Sequence, residues 1–143
     1  MSKAELLKEW YQEVWERRNF DAIERLFNPD TMAEGLVPDM QVGPGDFRDL
    51  VMALGHLFGE IEVEIPKIVE GGDWVSALLR FHSTRADNGA PILATGQVMA
   101  RFDGDRMVEA YNHFDFVSLF EQTGQFPQDT LPVCMTGQRL DWA

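Results

Sequence analysis

Four side chains that can donate, accept or hold protons alternate near the end of the chain. Glu109, Tyr111, His113 and Asp115 are two residues apart, so in a β-strand they lie on one face of the sheet. Carboxylates and imidazoles are common general acids and bases. This combination is unusual on the inner face of a plain core. The pattern therefore predicts either a polar pocket or a solvent-facing surface.

A second alternating stretch covers residues 74–85. One of its faces is apolar, and the other mixes aromatic, aliphatic and basic side chains, among them Trp74, Leu78, Arg80 and His82. A mixed face of this kind suits a ligand pocket or a dimer interface.

The neighbour of Asp115 depends on the turn around Gly104. With a three-residue loop, Gln97 and Arg101 share a face with Tyr111 and Asp115. A two-residue loop reverses this, because a one-residue slip in register moves every side chain to the other face. The sequence leaves both arrangements open.

Motifs for other chemistries are missing from the sequence. It contains no phosphate-binding loop, dinucleotide fingerprint, His-Glu-x2-His or Gly-x-Ser-x-Gly elbow. His56, His82 and His113 lack metal-ligand spacing, and a zinc site needs three or four ligands. Cys134 is the single cysteine, which excludes an internal disulfide. We expect no metal site.

Helical spacing of apolar residues precedes these strands. It predicts helices over residues 6–15, 20–27 and 47–58. Ser2 and Glu5 have the spacing of a capping box at the start of the first helix. The aromatic residues of the first two helices suit either a plain core or helices that cover a large concave surface.

Consecutive strands joined by turns follow the helices. They are expected over residues 61–65, 74–85, 92–102 and 107–116, with a short strand near 31–37. Pro66 predicts a bulge or an edge position in the first of them. Helices followed by such strands predict an α+β fold, with the helices packed on one face of an antiparallel sheet. If that sheet curls, its open mouth is a common kind of ligand site.

Length and charge exclude several classes of protein. The chain has 143 residues, a net charge of −12 and 45% apolar residues, which predicts one folded domain over residues 1–143. The negative charge argues against nucleic acid or an anionic membrane surface as partner. Neither a spanning apolar run nor a signal-peptide core is visible, so we expect a soluble, cytoplasmic protein.

Residues 104–124 resemble the closing strand and tail of the SnoaL-like polyketide cyclase (ester cyclase) family, within the nuclear transport factor 2-like superfamily. The family pattern is a glycine turn, Ile-Val-Glu, an aromatic residue, an aspartate and an apolar run closing in Gln-Leu-Gly. The matching positions are Gly104, Val108, Glu109, Tyr111, Asp115, Val117, Leu119, Phe120, Gln122 and Gly124. Gly71 to Val75 resembles the family's Glu-Gly-Asp-x-Val turn, and the resemblance covers about residues 5–126.

Three departures from the family pattern are visible. The usual tryptophan is Tyr111, and the usual leucine of Gln-Leu-Gly is Thr123. The family's Thr-His-x-Gly segment appears as residues 83–86 without its histidine, although His82 is adjacent.

The resemblance implies a cone-shaped, cystatin-like roll whose curved antiparallel sheet wraps around the N-terminal helices. It also implies a homodimer formed through the sheet, no cofactor, and an aspartate that acts as general acid/base in an intramolecular aldol ring closure. By motif that residue is Asp115. We expect Tyr111 and His113 to act as hydrogen-bond or polarising groups. We expect an apolar carbonyl compound as substrate. Its candidate contacts are Trp10, Trp15, Phe47, Leu50, Trp74, Arg80 and Arg101.

Two alternatives remain. An isomerase or epoxide-hydrolase-like enzyme on the same fold would need a second acid or an Arg–Asp pair in the pocket, for which Arg80 and Arg101 are the candidates. A non-catalytic ligand-binding or dimerisation module would leave Asp115 exposed or salt-bridged, with the cone filled by its own side chains. Residues 127–143 form a tail beyond the resemblance, in which Trp142 docks on the body or a partner, or belongs to a disordered terminus.

Overall fold

A computed structural model describes residues 1–35 and 41–141. Five strands form one curved sheet in the order β1-β5-β4-β3-β2. They are β1 (Phe27–Glu34), β2 (Glu62–Gly71), β3 (Trp74–Thr84), β4 (Pro91–Asp103) and β5 (Arg106–Phe114). Strands β2 to β5 pair antiparallel with their neighbours, and β1 pairs parallel with β5. The predicted α+β fold, with N-terminal helices and a curved sheet, is confirmed.

The first three helices lie close to their expected positions, whereas the last two were not predicted from the sequence. The helices are α1 (Lys3–Trp10), continued by a π-helical turn (Tyr11–Glu16), then α2 (Asp21–Leu26), α3 (Pro44–Gly55), α4 (Phe116–Thr123) and α5 (Thr130–Met135). The capping box of Ser2 and Glu5 is present. Trp142 lies outside the described residues. No helix in the described ranges is long and apolar enough to cross a membrane.

Aromatic packing between the helices and the inner face of the sheet fills the deep part of the core. Trp10 stacks on Phe27 with ring centroids 4.6 Å apart, and Phe47 lies against both rings. All three are buried. Each large ring buries about 150–250 Å², so this cluster makes a major contribution to holding the helices on the sheet.

The register between β4 and β5 contains a bulge. A two-residue turn joins them, with Asp103 opposite Arg106, but further along Arg101 lies opposite Glu109, because Val108 is an extra residue. The two-residue turn alone would put Arg101 and Tyr111 on opposite faces, and the bulge restores them to one face. Strand β2 also shifts register near Pro66 and forms a sheet edge, as predicted.

Gly96 permits a close contact between β4 and the last residue of β5. It lies opposite Phe114, and a Cβ atom there would be 2.2 Å from Cδ1 of the Phe114 ring. We expect Gly96→Ala to destabilise the fold by about 1–3 kcal/mol, because the ring must move within a packed region. Urea unfolding measures the change.

Gly71→Ala is the matched control, since a Cβ atom there meets nothing within 4 Å. An equal loss of stability in both variants would contradict the proposed clash with Phe114.

Candidate active site

Asp115 lies at the junction between β5 and α4. Its backbone N–H donates to the carbonyl of Thr95 at 3.0 Å, and its Oδ1 accepts a hydrogen bond from the N–H of Ser118 at 3.0 Å. The predicted continuation of the strand to Phe116 is therefore wrong, because β5 ends at Phe114 and Asp115 is the N-cap of α4. The local signal was an N-cap residue before a helix that ends at Gly124, whose φ is 89°.

Gln122 fixes the other end of α4. Its Nε2 donates to the carbonyl of Leu93 at 2.8 Å, and its Oε1 accepts from the N–H of Leu93 at 2.9 Å. Arg85 adds a bond to the carbonyl of Gln122 at 3.3 Å. The matched positions Asp115, Gln122 and Gly124 thus begin, hold and end one helix. The sequence reasoning had assigned no role to Gln122.

An apolar pocket of about 60 Å³ lies between α3, the sheet and α4. We call it the mouth pocket. Its described lining is apolar except for Ser83 and Asp115, and consists of Trp15, Leu54, Phe58, Ile61, Phe81, Ser83, Ile92, Ala94, Phe114, Asp115, Phe116 and Leu119. Ser83 donates to the carbonyl of Glu60 at 2.8 Å. Asp115 is thus the one titratable side chain among these lining residues, and it is exposed at the rim.

The deeper interior leaves little space. The cavity beside Trp10, Phe27 and Phe47 has a volume of about 10 Å³, no more than one water needs. Two expected ligand contacts, Trp10 and Phe47, thus belong to the packed core, and Leu50 packs against it. Among the expected aromatic contacts, Trp15 lines the mouth pocket.

The remaining expected site residues lie on the outer face of the sheet, away from the helices. Glu109 accepts hydrogen bonds from Nε of Arg101 at 2.8 Å and from the hydroxyl of Tyr111. The rings of Trp74 and Tyr111 are stacked, with their centroids 6.3 Å apart. Arg80 is 3.7 Å from a carboxylate oxygen of Glu64.

An open depression on this outer face reaches Asp115 from the other side. We call it the outer depression. Its volume is about 540 Å³, and its polar lining residues are Arg80, Thr95, Gln97, His113 and Asp115. The junction carboxylate therefore borders an apolar pocket inside and a polar depression outside.

No group of three or more His, Cys, Asp or Glu side chains within residues 1–35 and 41–141 is arranged to hold a metal ion. Cys134 is exposed on α5.

The carboxylate of Glu109, on the outer face of the sheet, has a lowered pKa. Hydrogen bonds from Tyr111 and Arg101 lower the pKa of Glu109 below its ordinary value, and the bond to Glu109 raises the pKa of Tyr111. Because the pKa of Glu109 is lower in the folded protein than in the unfolded chain, its ionisation stabilises the fold. This stabilisation is complete above the pKa of a glutamate in the unfolded chain, about 4.3. That contribution is lost as the pH falls through the folded value.

We expect Glu109→Gln to be less stable than the wild type at pH 7, and the difference to shrink as the pH falls below about 4. Urea unfolding from pH 7 to pH 2.5 measures it. The control is Glu62→Gln, an exposed carboxylate on β2. A stability difference that stays constant over this range would rule out the ionised Glu109 as its source.

The curved sheet, the N-terminal helices and the mouth at Asp115 define a cone fold of the nuclear transport factor 2-like class. The family model for the SnoaL-like polyketide cyclase matches residues 5–123. The chain belongs to the SnoaL-like polyketide cyclase family.

Solved structures share the fold at low sequence identity. IdmH from Streptomyces antibioticus, a candidate polyketide cyclase, has a TM-score of 0.77 and 19% identity over 87% of this chain and 99% of its own. AclR from Streptomyces galilaeus, a candidate hydroxylase, has a TM-score of 0.75 and 19% identity over 95% of this chain and 91% of its own. A Catenulispora acidiphila protein with a ketosteroid isomerase-like fold, solved in complex with trimethylamine, has a TM-score of 0.73 and 17% identity. The match covers 92% of this chain and 100% of that protein. Comparison with curated proteins gives no significant match.

Proposed function

We propose that the chain is a cytoplasmic, cofactor-free enzyme that acts on an apolar carbonyl compound bound at the mouth pocket, with Asp115 as general acid/base. One observation supports this most strongly. Among the described residues that line the apolar pocket, Asp115 is the one with a carboxylate, a group that can act as a general acid or base. Family membership favours the same class of chemistry.

The proposed reaction is a cyclase-type aldol ring closure. The carboxylate of Asp115 takes a proton from the carbon next to a substrate carbonyl. The resulting enolate carbon attacks a second carbonyl of the same molecule, and a carbon–carbon bond forms. Asp115 then returns the proton to the new alkoxide, so no atom is gained or lost. The pocket contributes by holding the flexible substrate in a folded conformation, in which its two reacting carbons are close together.

The hydrogen bonds of Asp115 support this role. Oδ1 is engaged by the N–H of Ser118, and within the described residues Oδ2 has no hydrogen-bond partner. The amide therefore orients the carboxylate while Oδ2 faces a substrate proton. A ligand over the mouth pocket would also exclude water from it, which strengthens electrostatic interactions there.

His113 and Tyr111 take different parts in this proposal. His113 lines the outer depression together with Asp115, so we assign it to proton exchange with Asp115. The hydroxyl of Tyr111 is engaged with Glu109, so we assign it to the outer face rather than to the reacting group.

A non-catalytic ligand-binding module is the second candidate, and two observations favour it: Asp115 is exposed, and the deep cone is filled. An isomerase or epoxide-hydrolase-like mechanism is less favoured. Both candidate arginines pair with other carboxylates, Arg80 with Glu64 and Arg101 with Glu109.

Asp115→Asn separates these candidates. Asparagine is also a good N-cap residue, so α4 should stay in place while the proton acceptor is lost. We expect α-proton exchange of α-tetralone in deuterated water, followed by NMR, to fall by about 10²–10⁴-fold relative to the wild-type protein. The control is Asp46→Asn, an exposed aspartate in the first turn of α3.

Unchanged exchange in Asp115→Asn would remove Asp115 from the mechanism. If the wild type itself accelerates no exchange but binds the ketone, the binding module replaces the enzyme.

We also propose that two copies pair through the outer face of the sheet. Leu78, Met99 and Tyr111 are exposed there by 45%, 47% and 37%, large fractions for apolar side chains on one surface. Arg101 and Glu109 lie beside them with opposite charges. A two-fold dimer brings the same patch of both copies together, so apolar and charged groups can match.

We expect Met99→Glu to convert a dimer into a monomer, because four carboxylates of two copies would be crowded on one buried patch. Sedimentation velocity measures the mass. The control is Met52→Glu, an equally exposed methionine (48%) on α3. A wild-type monomer, or a dimer in both variants, would contradict pairing through this face.

A further inference from the structure

A second cavity adjoins the mouth pocket on the helix side, and we call it the side lobe. Its volume is about 170 Å³, and it shares Trp15, Phe58 and Ile61 with the mouth pocket. Ligand pockets commonly measure about 300–1,000 Å³, so the mouth pocket alone is small. For a ligand larger than the mouth pocket, the side lobe is the neighbouring space on the far side of Trp15, Phe58 and Ile61.

The side lobe differs from the mouth pocket in charge. Its polar lining side chains are Arg18 and His56, and its other walls are mainly apolar. His56 is the C-cap residue of α3. The described part of the lobe thus offers a guanidinium and an imidazole, and no carboxylate.

Arg18 is not neutralised within the described residues. Six of the nine arginines pair with carboxylates, namely Arg17, Arg25, Arg48, Arg80, Arg85 and Arg101. Arg18 forms no such pair in residues 1–35 and 41–141. Arg106 and Arg139 also lack such a pair within these ranges, but among these three only Arg18, which is exposed, lines one of the four cavities described above.

The side chain of Arg18 is nevertheless held in place. Its Nη2 donates to the carbonyl of Gly59 at 2.9 Å, with a longer contact to that of Phe58 at 3.5 Å. The guanidinium has five N–H donors, so those on Nε and Nη1 remain for a ligand. Its backbone φ of 56° lies in the left-handed region, a strained conformation that is found more often at functional sites.

We propose that Arg18 binds a carboxylate of the ligand in the side lobe, with His56 beside it. The substrate is then an apolar keto acid, whose carboxylate lies at Arg18 and whose reacting carbonyl lies near Asp115. The carbonyl end of this assignment rests on the proposed function, and the carboxylate end on the side lobe. A single guanidinium suits a monoanion, because the net charge of −12 opposes more highly charged ligands.

Calorimetric titration with two matched probes tests the inference. The probes are β-naphthoate, which carries a carboxylate, and its neutral methyl ester. We expect the wild type to bind β-naphthoate about tenfold or more tightly than the ester, as a charge-assisted hydrogen bond implies. Arg18→Gln should lose this preference, and Arg18→Lys should keep part of it.

Arg17→Gln is the matched control. It removes the same charge one residue away, from an arginine paired with Glu13 on the surface and absent from the lining of the side lobe. We expect it to keep the preference for β-naphthoate. Equal binding of both probes to the wild type, an unchanged preference in Arg18→Gln, or binding of neither probe would each overturn the inference.

The α-tetralone exchange assay keeps the two proposals apart, because that ketone carries no carboxylate. If the wild type prefers β-naphthoate but exchanges no ketone protons, the role of Asp115 fails and the carboxylate site stands. If exchange depends on Asp115 but the carboxylate preference is absent, the opposite holds.

Discussion

The hydrogen bonds at the junction between β5 and α4 determine where the candidate catalytic carboxylate lies. Asp115 donates its N–H to Thr95 of β4 and accepts the N–H of Ser118 in α4, so one residue ends the sheet pairing and begins the helix. Gln122 then holds α4 against the backbone of Leu93. A carboxylate in the middle of a strand would face only one side of the sheet. At the junction it borders both the mouth pocket and the outer depression.

The same hydrogen bonds constrain the chemistry. In the proposed reaction Asp115 acts first as a base and receives its proton from the substrate. One of its oxygens is committed to the cap, which leaves a single oxygen and a fixed direction for proton transfer. An N-cap contributes about 1 kcal/mol of stability, so rotating the carboxylate away from Ser118 would be costly. The capping role of this residue and its proposed catalytic role therefore depend on different oxygens.

Local patterns predicted most of the fold, but packing decided the site. The helical spacing of Leu6, Trp10 and Val14 and the alternation in β3 and β4 are properties of short segments, so the sequence revealed them. The bulge at Val108 depends on pairing with β4, which no single segment encodes. The aromatic residues after Asp115 suit a strand as well as a helix. The sequence pattern therefore predicts that β5 continues to Phe116, two residues beyond its end at Phe114. Whether Trp10 and Phe47 line a cavity or fill it depends on how closely the rings pack, which residue spacing does not determine.

The distribution of charge connects the surface to the proposed ligand. Most arginines are neutralised by neighbouring carboxylates, so at long range the chain presents an excess of negative charge. An approaching anion is repelled over roughly a Debye length, about 8 Å at physiological ionic strength. Recognition of a carboxylate must then come from direct contact with Arg18, and burial of the apolar part of the ligand against Trp15 and Phe58 must supply most of the affinity. Small, polar anions lack that apolar part, so the proposed site would favour apolar monoacids over them.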